Sequence, residues 1–422
     1  MGTAPRGQPL RIPVPPPRPP RRPPRRLKFS PIRPIRRISP ISPPAPFATR
    51  PAPKLVFGPG ALGELAAHVR ELGGTSVFLV SDPGVARAGY VERARALLAA
   101  AGFPVTVFAD ARENPTESDA AACAAAARAC VPAIDCLVAL GGGSSLDTAK
   151  AANFLLSNGG VMHDYHGYAK APRPFLPLIA IPTTAGTGSE TQSFTLISRD
   201  GSHEKMACGD PKALPRIALL DPELTATLPR ATATLSGLDA LAHALESAVC
   251  TKRNPVSALF AESAFRHLAS ALGRVVTGNP SADDRAAMLL GAALAGLAIE
   301  NSMLGAAHAS ANPLTARHGI VHGHAVSLML PSVLRLNATT PAAAALYAHF
   351  ATLLPVPGTT PADLIAWLEN TLAAAALPPV DARPFDFAAL ADDAARQWTG
   401  KFNPVPLQPV DFAALYRRAL AV

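Results

Sequence analysis

The sequence predicts an α/β fold class: an N-terminal domain built on a parallel, Rossmann-like sheet, followed by an all-α C-terminal domain. Three observations predict it. From Lys54 onward, short β-branched runs alternate with Ala/Leu-rich helical patterns; glycine-rich turns separate strand from helix; and strand signals stop after "PRIALLDPELTATLPR". The 422 residues suffice for two or three domains. The expected divisions are a tail over residues 1–50, an α/β domain over 51–221 and a helical domain over 222–422, with a site in the cleft between the last two.

Sixteen prolines precede residue 51, and proline fixes φ and removes a donor, so the tail is expected to be disordered. The tail also holds eleven Arg and one Lys with no Asp or Glu. Its +12 exceeds the +9 of the whole chain, so the folded remainder is mildly acidic, which argues against nucleic acid as a partner. A polyproline ligand, a basic contact, a targeting peptide and a dispensable extension all fit this composition. There is no apolar signal region, and the prolines spoil an amphipathic presequence. The apolar run "AAMLLGAALAGLAI" falls short of the roughly 18 to 20 residues that cross a bilayer and reads as a buried helix. Five cysteines without a C-x-x-C pair suit a reducing compartment, so a cytoplasmic protein with no membrane partner is expected.

The strand runs "KLVF", "TSVFLVSD", "FPVTVFAD", "CLVALGGGSS" and "LPLIAIPTTAGTGSE" each end in turn residues. In "CLVALGGGSSLDTAK" three glycines lead into a helix over Ser144 to Lys150, presenting backbone N–H groups as a pyrophosphate cradle does; a plain tight turn would also want glycine. A second loop supplies Thr183, Thr184, Thr187 and Ser189 as hydroxyl donors. Asp82, ending its strand, is placed either to accept from the ribose of NAD and repel the extra phosphate of NADP, or to cap a helix at Pro83.

In the helical half, Asp239 and His243 of "GLDALAHALES" are four apart and share a helix face. His308 and His322, in "GAAHASA" and "IVHGHA", sit among small residues that leave room for an ion. One carboxylate with neutral imidazoles suits Zn²⁺ or Fe²⁺ better than Mg²⁺ or Ca²⁺; satisfied polar histidines are the alternative.

From about Lys54 to the C-terminus, the chain resembles the iron-dependent (group III) alcohol dehydrogenase family. The matching pieces occur in family order: "FGPGAL", "SDPG", "NPT", "GGGSSLDTAK", "PTTAGTGSE", "DPELTATLP", "GLDALAHALES", "HGHAVSLMLP" and a late "NP". The resemblance implies reversible hydride transfer between a primary or secondary alcohol and NAD, with Fe²⁺ or Zn²⁺ held by Asp239, His243, His308 and His322. It further implies pyrophosphate contacts at Gly142, Gly143 and Ser144 with Asp147 nearby, and a cofactor lining of Thr183, Thr184, Asn114 and Lys205. Members are dimers or larger, so a homo-oligomer is expected.

One position departs from the family. Many members carry a second histidine four residues after the third ligand, which passes the alcohol proton to solvent. Here that position is Asn312, whose amide cannot exchange protons as imidazole does. His318, read as lying in a loop, and His324 are expected at the surface or behind the ligands rather than as relays. The rival readings are a metal-free reductase of the maleylacetate type, against which the intact Asp-His-His-His set counts, a dehydroquinate-type synthase, for which no basic phosphate cage is evident, and a non-catalytic scaffold acting through the tail. The aromatic content of 5% disfavours an aromatic-lined pocket.

Overall fold

In the computed structural model, which describes residues 1–2, 46–201, 205–380 and 385–420, six apolar runs form one parallel sheet. Among the described residues the strands are β1 (Lys54–Phe57), β2 (Val77–Val80), β3 (Val105–Phe108), β4 (Cys136–Gly141), β5 (Gly167–Tyr168), β6 (Leu178–Pro182), β7 (Phe194–Ser198), β8 (Lys205–Gly209) and β9 (Ile217–Leu220). The large sheet runs in the order β1-β9-β6-β4-β2-β3. Its four inner strands are buried throughout, which is why they read as continuous apolar runs. Phe78, Val80, Leu137 and Ala139 pack into the core on one face, and Val77, Leu79, Cys136 and Val138 into the core on the other.

This strand order creates a crevice. The chain leaving β2 moves outward to β3, while the chain leaving its neighbour β4 moves the opposite way to β6. Connections that diverge from adjacent strands leave a gap at the carboxyl ends, the usual seat of a ligand in such sheets. Asp82 follows β2 at this gap, and Gly142 to Ser144 follow β4. The helices of this part are α1 (Leu65–Glu71), α2 (Pro83–Arg87), α3 (Tyr90–Ala100), α4 (Glu117–Arg128) and α5 (Gly143–Asn158).

After β9 the described residues are helical: α6 (Arg230–Val249), α7 (Pro255–Val276), α8 (Ala282–Glu300), α9 (Ala306–His318), α10 (His322–Asn337), α11 (Pro341–Ala351), α12 (Pro361–Ala375), α13 (Phe387–Arg396) and α14 (Pro409–Ala419). The starts follow local sequence. Asn254 caps α7 ahead of Pro255, and Ser281 with Asp284 forms a reciprocal capping box on α8, the apolar helix read from "AAMLLGAALAGLAI". None of the described helices is long and apolar enough to cross a membrane.

Two features lay beyond the strand reading. β7 and β8 pair antiparallel, and β5 joins β8 to complete a small second sheet. The disordered-tail expectation falls largely on residues 3–45, outside the described residues. Arg50, assigned to that tail, is instead anchored: its backbone N–H donates to Asn301 Oδ1 at 3.0 Å and its guanidinium pairs with Glu300 at 3.3 Å. The folded body accordingly runs from Pro46.

Candidate active site

The sheet and the helices enclose a cleft of about 1540 Å³, larger than the roughly 300 to 1,000 Å³ of a usual small-molecule pocket. Every residue named from the sequence as a cofactor contact lines it: Asp82, Asn114, Gly142, Gly143, Ser144, Asp147, Thr183, Thr184 and Lys205. Asp239, His243, His308, His322 and Asn312 line it as well.

At the sheet end, Gly142 caps α5 and Gly143 opens it. A Cβ at Gly143 would lie 2.6 Å from Thr187 Cγ2, so the turn and the second loop approach closely only because glycine stands there. Asp82 takes up the capping alternative, accepting from the Gly84 and Val85 N–H groups, and its other oxygen accepts from Ser145 Oγ at 2.7 Å across the gap between β2 and β4. Asp82 still lines the cleft. The Asn114 N–H donates to Ser144 Oγ at 3.2 Å. Asp147 lies beneath, accepting from Ser189 Oγ and the Leu196 N–H; burial pushes its carboxyl upward against the pull of Lys150. Burial pushes Lys205 downward, within electrostatic reach of both Asp147 and Asp239.

Sequence reading missed Lys150. Its buried Nζ lies 2.5 to 2.9 Å from Ser189 O, Ser189 Oγ, Gln192 O and Phe194 O, tying the second loop to α5. The loop is pressed onto the helices as tightly. Gly188 has φ +63°, and a Cβ there would lie 2.7 Å from the Gly296 Cα of α8.

At the helical end, three helices bring four side chains to one point. His243 Nε2, His308 Nε2 and His322 Nε2 lie 3.5, 3.3 and 3.7 Å from Asp239 Oδ1. The ligand atoms of Asp239, His308 and His322 lie within 4.8 Å of one another, and the His243 ring stacks on His308 at 4.8 Å. Four tetrahedral ligands about 2.1 Å from an ion stand about 3.4 Å apart, so the spacing around Asp239 fits a small divalent cation. Asp239 Oδ1 and His308 Nε2 are buried and have no hydrogen-bond partner, a costly arrangement unless a cation takes their lone pairs.

Glu246, also missed, orders this cluster. Gly305 offers no side chain to cap α9, so the free N–H groups of Ala307 and Ala306 go to Glu246 Oε1 at 2.7 Å and Asn403 Oδ1 at 3.2 Å. The other Glu246 oxygen accepts from His308 Nδ1, which aims His308 Nε2 at the centre. Glu246 lies one further turn along the face of α6 that carries Asp239 and His243, so helical periodicity was its one sequence signal.

The charges agree with a cation site. Burial opposes ionisation of Asp239, but the three imidazoles outweigh it and hold the carboxyl well below the usual range. Burial pushes His243 down to about 4 and His322 down to about 3, against the pull of Asp239. Burial disfavours charge on His308 as well, yet Glu246 and Asp239 prevail and push it up to about 10. Two buried carboxylates thus draw one positive charge into the cluster.

The remaining histidines lie elsewhere. His318 is the last residue of α9, ahead of Gly319 in the left-handed conformation, and not in a loop as expected. With His324 it lines a separate pocket of about 270 Å³ beside Phe385. Few aromatic side chains line the main cleft, and Phe194 and Trp398 are among them. They come from β7 and from a turn far along the chain, a placement that composition does not report.

The comparisons with known proteins agree with this architecture. Residues 52–222 match the family model described as iron-containing alcohol dehydrogenase, and residues 233–420 match that of the Fe-containing alcohol dehydrogenase family, C-terminal. Alcohol dehydrogenase 4 of Schizosaccharomyces pombe is 31% identical over 369 residues, covering 86% of this chain and 87% of its own. NAD-dependent methanol dehydrogenase of Bacillus methanolicus is 33% identical over 302 residues, covering 72% and 78%. The crystal structure of a 1,3-propanediol oxidoreductase superposes with a TM-score of 0.84 at 28% identity, covering 89% of this chain and 100% of its own. A parallel sheet with a glycine turn at its switch point, a helical half bearing a convergent Asp-His cluster, and matches spanning both halves together mean that this chain belongs to the iron-containing alcohol dehydrogenase family.

Proposed function

We propose that the protein is an NAD(H)-linked dehydrogenase of small alcohols, with Asp239, His243, His308 and His322 holding a ferrous ion that zinc can replace. The observation that carries this reading is the convergence of three imidazole Nε2 atoms on the buried Asp239 Oδ1, inside the same cleft as the glycine turn. Imidazole and carboxylate donors of intermediate softness favour Fe²⁺ or Zn²⁺ over Mg²⁺ or Ca²⁺. When bound, the divalent cation supplies Lewis acidity at the alcohol or carbonyl oxygen.

The protein's own groups do the rest. The Gly142–Gly143 turn and the N-terminus of α5 receive the pyrophosphate, with Ser144, Asn114, Thr183 and Thr184 beside it. The negative charge of Asp82 at the switch point favours NAD over NADP. In the forward direction a hydride, carrying two electrons, passes from the carbinol carbon to the nicotinamide and the hydroxyl proton goes to water, giving an aldehyde or ketone and NADH. One carboxylate and three neutral imidazoles would leave a divalent cation held there with a net positive charge, which would stabilise charge developing on oxygen.

The test is NADH oxidation by protein reconstituted anaerobically with Fe²⁺, against a panel of aldehydes, with and without chelator. Chelator-sensitive turnover is the expected result. Turnover that survives proven metal removal would move the protein to the metal-free reductases.

A further inference from the structure

Aromatic residues are scarce in this chain, yet four of them form a continuous run, of which Phe194 and Trp398 line the cleft. Tyr168 stacks on Phe194 at 5.6 Å, Phe194 lies against Trp398 at 5.7 Å with the rings 30° apart, and Trp398 meets Phe402 edge-on at 6.0 Å. Trp398 remains 38% exposed and lines the cleft, whose apolar lining also includes Ile299, Met303 and Leu304.

The run is held at both ends. The Arg50 guanidinium lies 4.9 Å from the centre of the Tyr168 ring and 6.0 Å from that of Phe194 while paired with Glu300. At the other end Asn312 Nδ2 donates to Gln397 Oε1 at 2.9 Å, and Gln397 immediately precedes Trp398. Asn312 is four residues beyond His308 on α9, about 6 Å along the helix axis. The amide pair therefore ties the segment that carries Trp398 to the helix that carries His308. Next to it, the buried Thr399 Oγ1 has no hydrogen-bond partner.

We propose that Phe194 and Trp398 form the specificity-determining face of the substrate pocket and select alcohols and aldehydes bearing a planar aromatic group. Asn312 is a positioning residue that acts on Trp398 through Gln397. This inference rests on the dehydrogenase reading above and names its substrate class. An aryl ring covers the exposed indole in the offset or edge-on arrangement that aromatic pairs prefer, and Met303 offers a thioether to the same ring; a short saturated substrate leaves the indole wet. For an aryl aldehyde, NADH delivers hydride to the carbonyl carbon and water supplies a proton to the oxygen, giving the aryl alcohol and NAD⁺.

The test uses the full-length Fe²⁺-loaded enzyme carrying Trp367→Phe. The chain has two tryptophans, and Trp367 packs against Phe265 in the helical core, so the substitution leaves Trp398 as the sole reporter. With NAD⁺ bound, the unreactive amides benzamide and acetamide are titrated against Trp398 emission. Benzamide is expected to quench it with a Kd about tenfold or more below that of acetamide. Asn312→Ala and Gln397→Ala are each expected to raise KM for benzaldehyde about tenfold with kcat within about twofold, and the double variant to do no more than either alone. Equal binding of the two amides would overturn the aromatic face. A fall in kcat of the same size for benzaldehyde and acetaldehyde in Asn312→Ala would overturn the positioning role. Selective benzamide binding without turnover of any aldehyde would support the face and sink the dehydrogenase reading.

Discussion

The two ends of the cleft are made of different materials. The sheet end is built around a backbone turn of Gly142 and Gly143, whose shape follows from the strand before it and the helix after it, with Asp82, Asn114, Thr183 and Thr184 also lining the cleft there. The helical end is built of side chains, brought from α6, α9 and α10 to within a few ångströms of Asp239 Oδ1. A backbone cradle is specified locally and tolerates change around it. A convergent cluster depends on three helix positions at once, and on Glu246, which both caps α9 and orients His308. The cluster should therefore fail abruptly and the cradle by degrees.

The largest effect is expected from the cluster. Asp239→Asn should lower bound iron below about one-tenth per chain and turnover by about 10³-fold, while Glu246→Gln should weaken metal affinity by about 10- to 100-fold. Metal analysis beside circular dichroism decides the matter, since full iron content in folded Asp239→Asn would refute the assignment. At the cradle, Gly143→Ala places a methyl group 2.6 Å from Thr187 Cγ2. Its KM for NAD should rise about tenfold with iron content unchanged, because the shift is confined to the turn. Loss of metal in that variant would show that the two ends are not separable.

The smallest effect is expected at the seam, in the loop that joins the ends. Glu190 is buried there, and burial pushes its carboxyl up to about 7 from an ordinary 4.5, with Lys150 opposing. The folded state holds this proton more tightly than the unfolded one, so the stability it contributes is complete below about pH 4.5 and is lost as the pH rises through about 7. Glu190→Gln keeps the neutral form, so its denaturation midpoint should exceed that of the parent at pH 8 and match it at pH 4.5. Equal midpoints at pH 8 would show that the carboxylate has a partner that replaces its hydration.

Much of this was readable because its signals are local. The inner strands are buried on both faces and so appear as unbroken apolar runs; the Asp239 and His243 pair shares a helix face; the glycine turn follows β4 directly. Arg50 was misread because the prolines before it extend to Pro46, while its partners Glu300 and Asn301 lie some 250 positions away. His318 was misread as a loop residue because Pro313 and Gly319 both signal breaks, although α9 runs through the first and ends only at the second. β7 and β8 escaped notice because neither is fully apolar: β7 carries Thr195 and Ser198, and β8 opens on Lys205 and ends on Gly209.

By itself the sequence determined the alternation of strand and helix, the change to helices after β9, the pyrophosphate-type turn and the residue types suited to a divalent ion. These follow from periodicity, turn chemistry and side-chain identity, which act over a few residues. Only the tertiary structure decided that Glu246 stands behind His308, that Lys150 ties the second loop to α5, and that an aromatic-poor chain places Phe194 beside Trp398 in its cleft. Those outcomes depend on which distant surfaces pack together, and packing is settled by the shapes of whole elements rather than by any one stretch of residues.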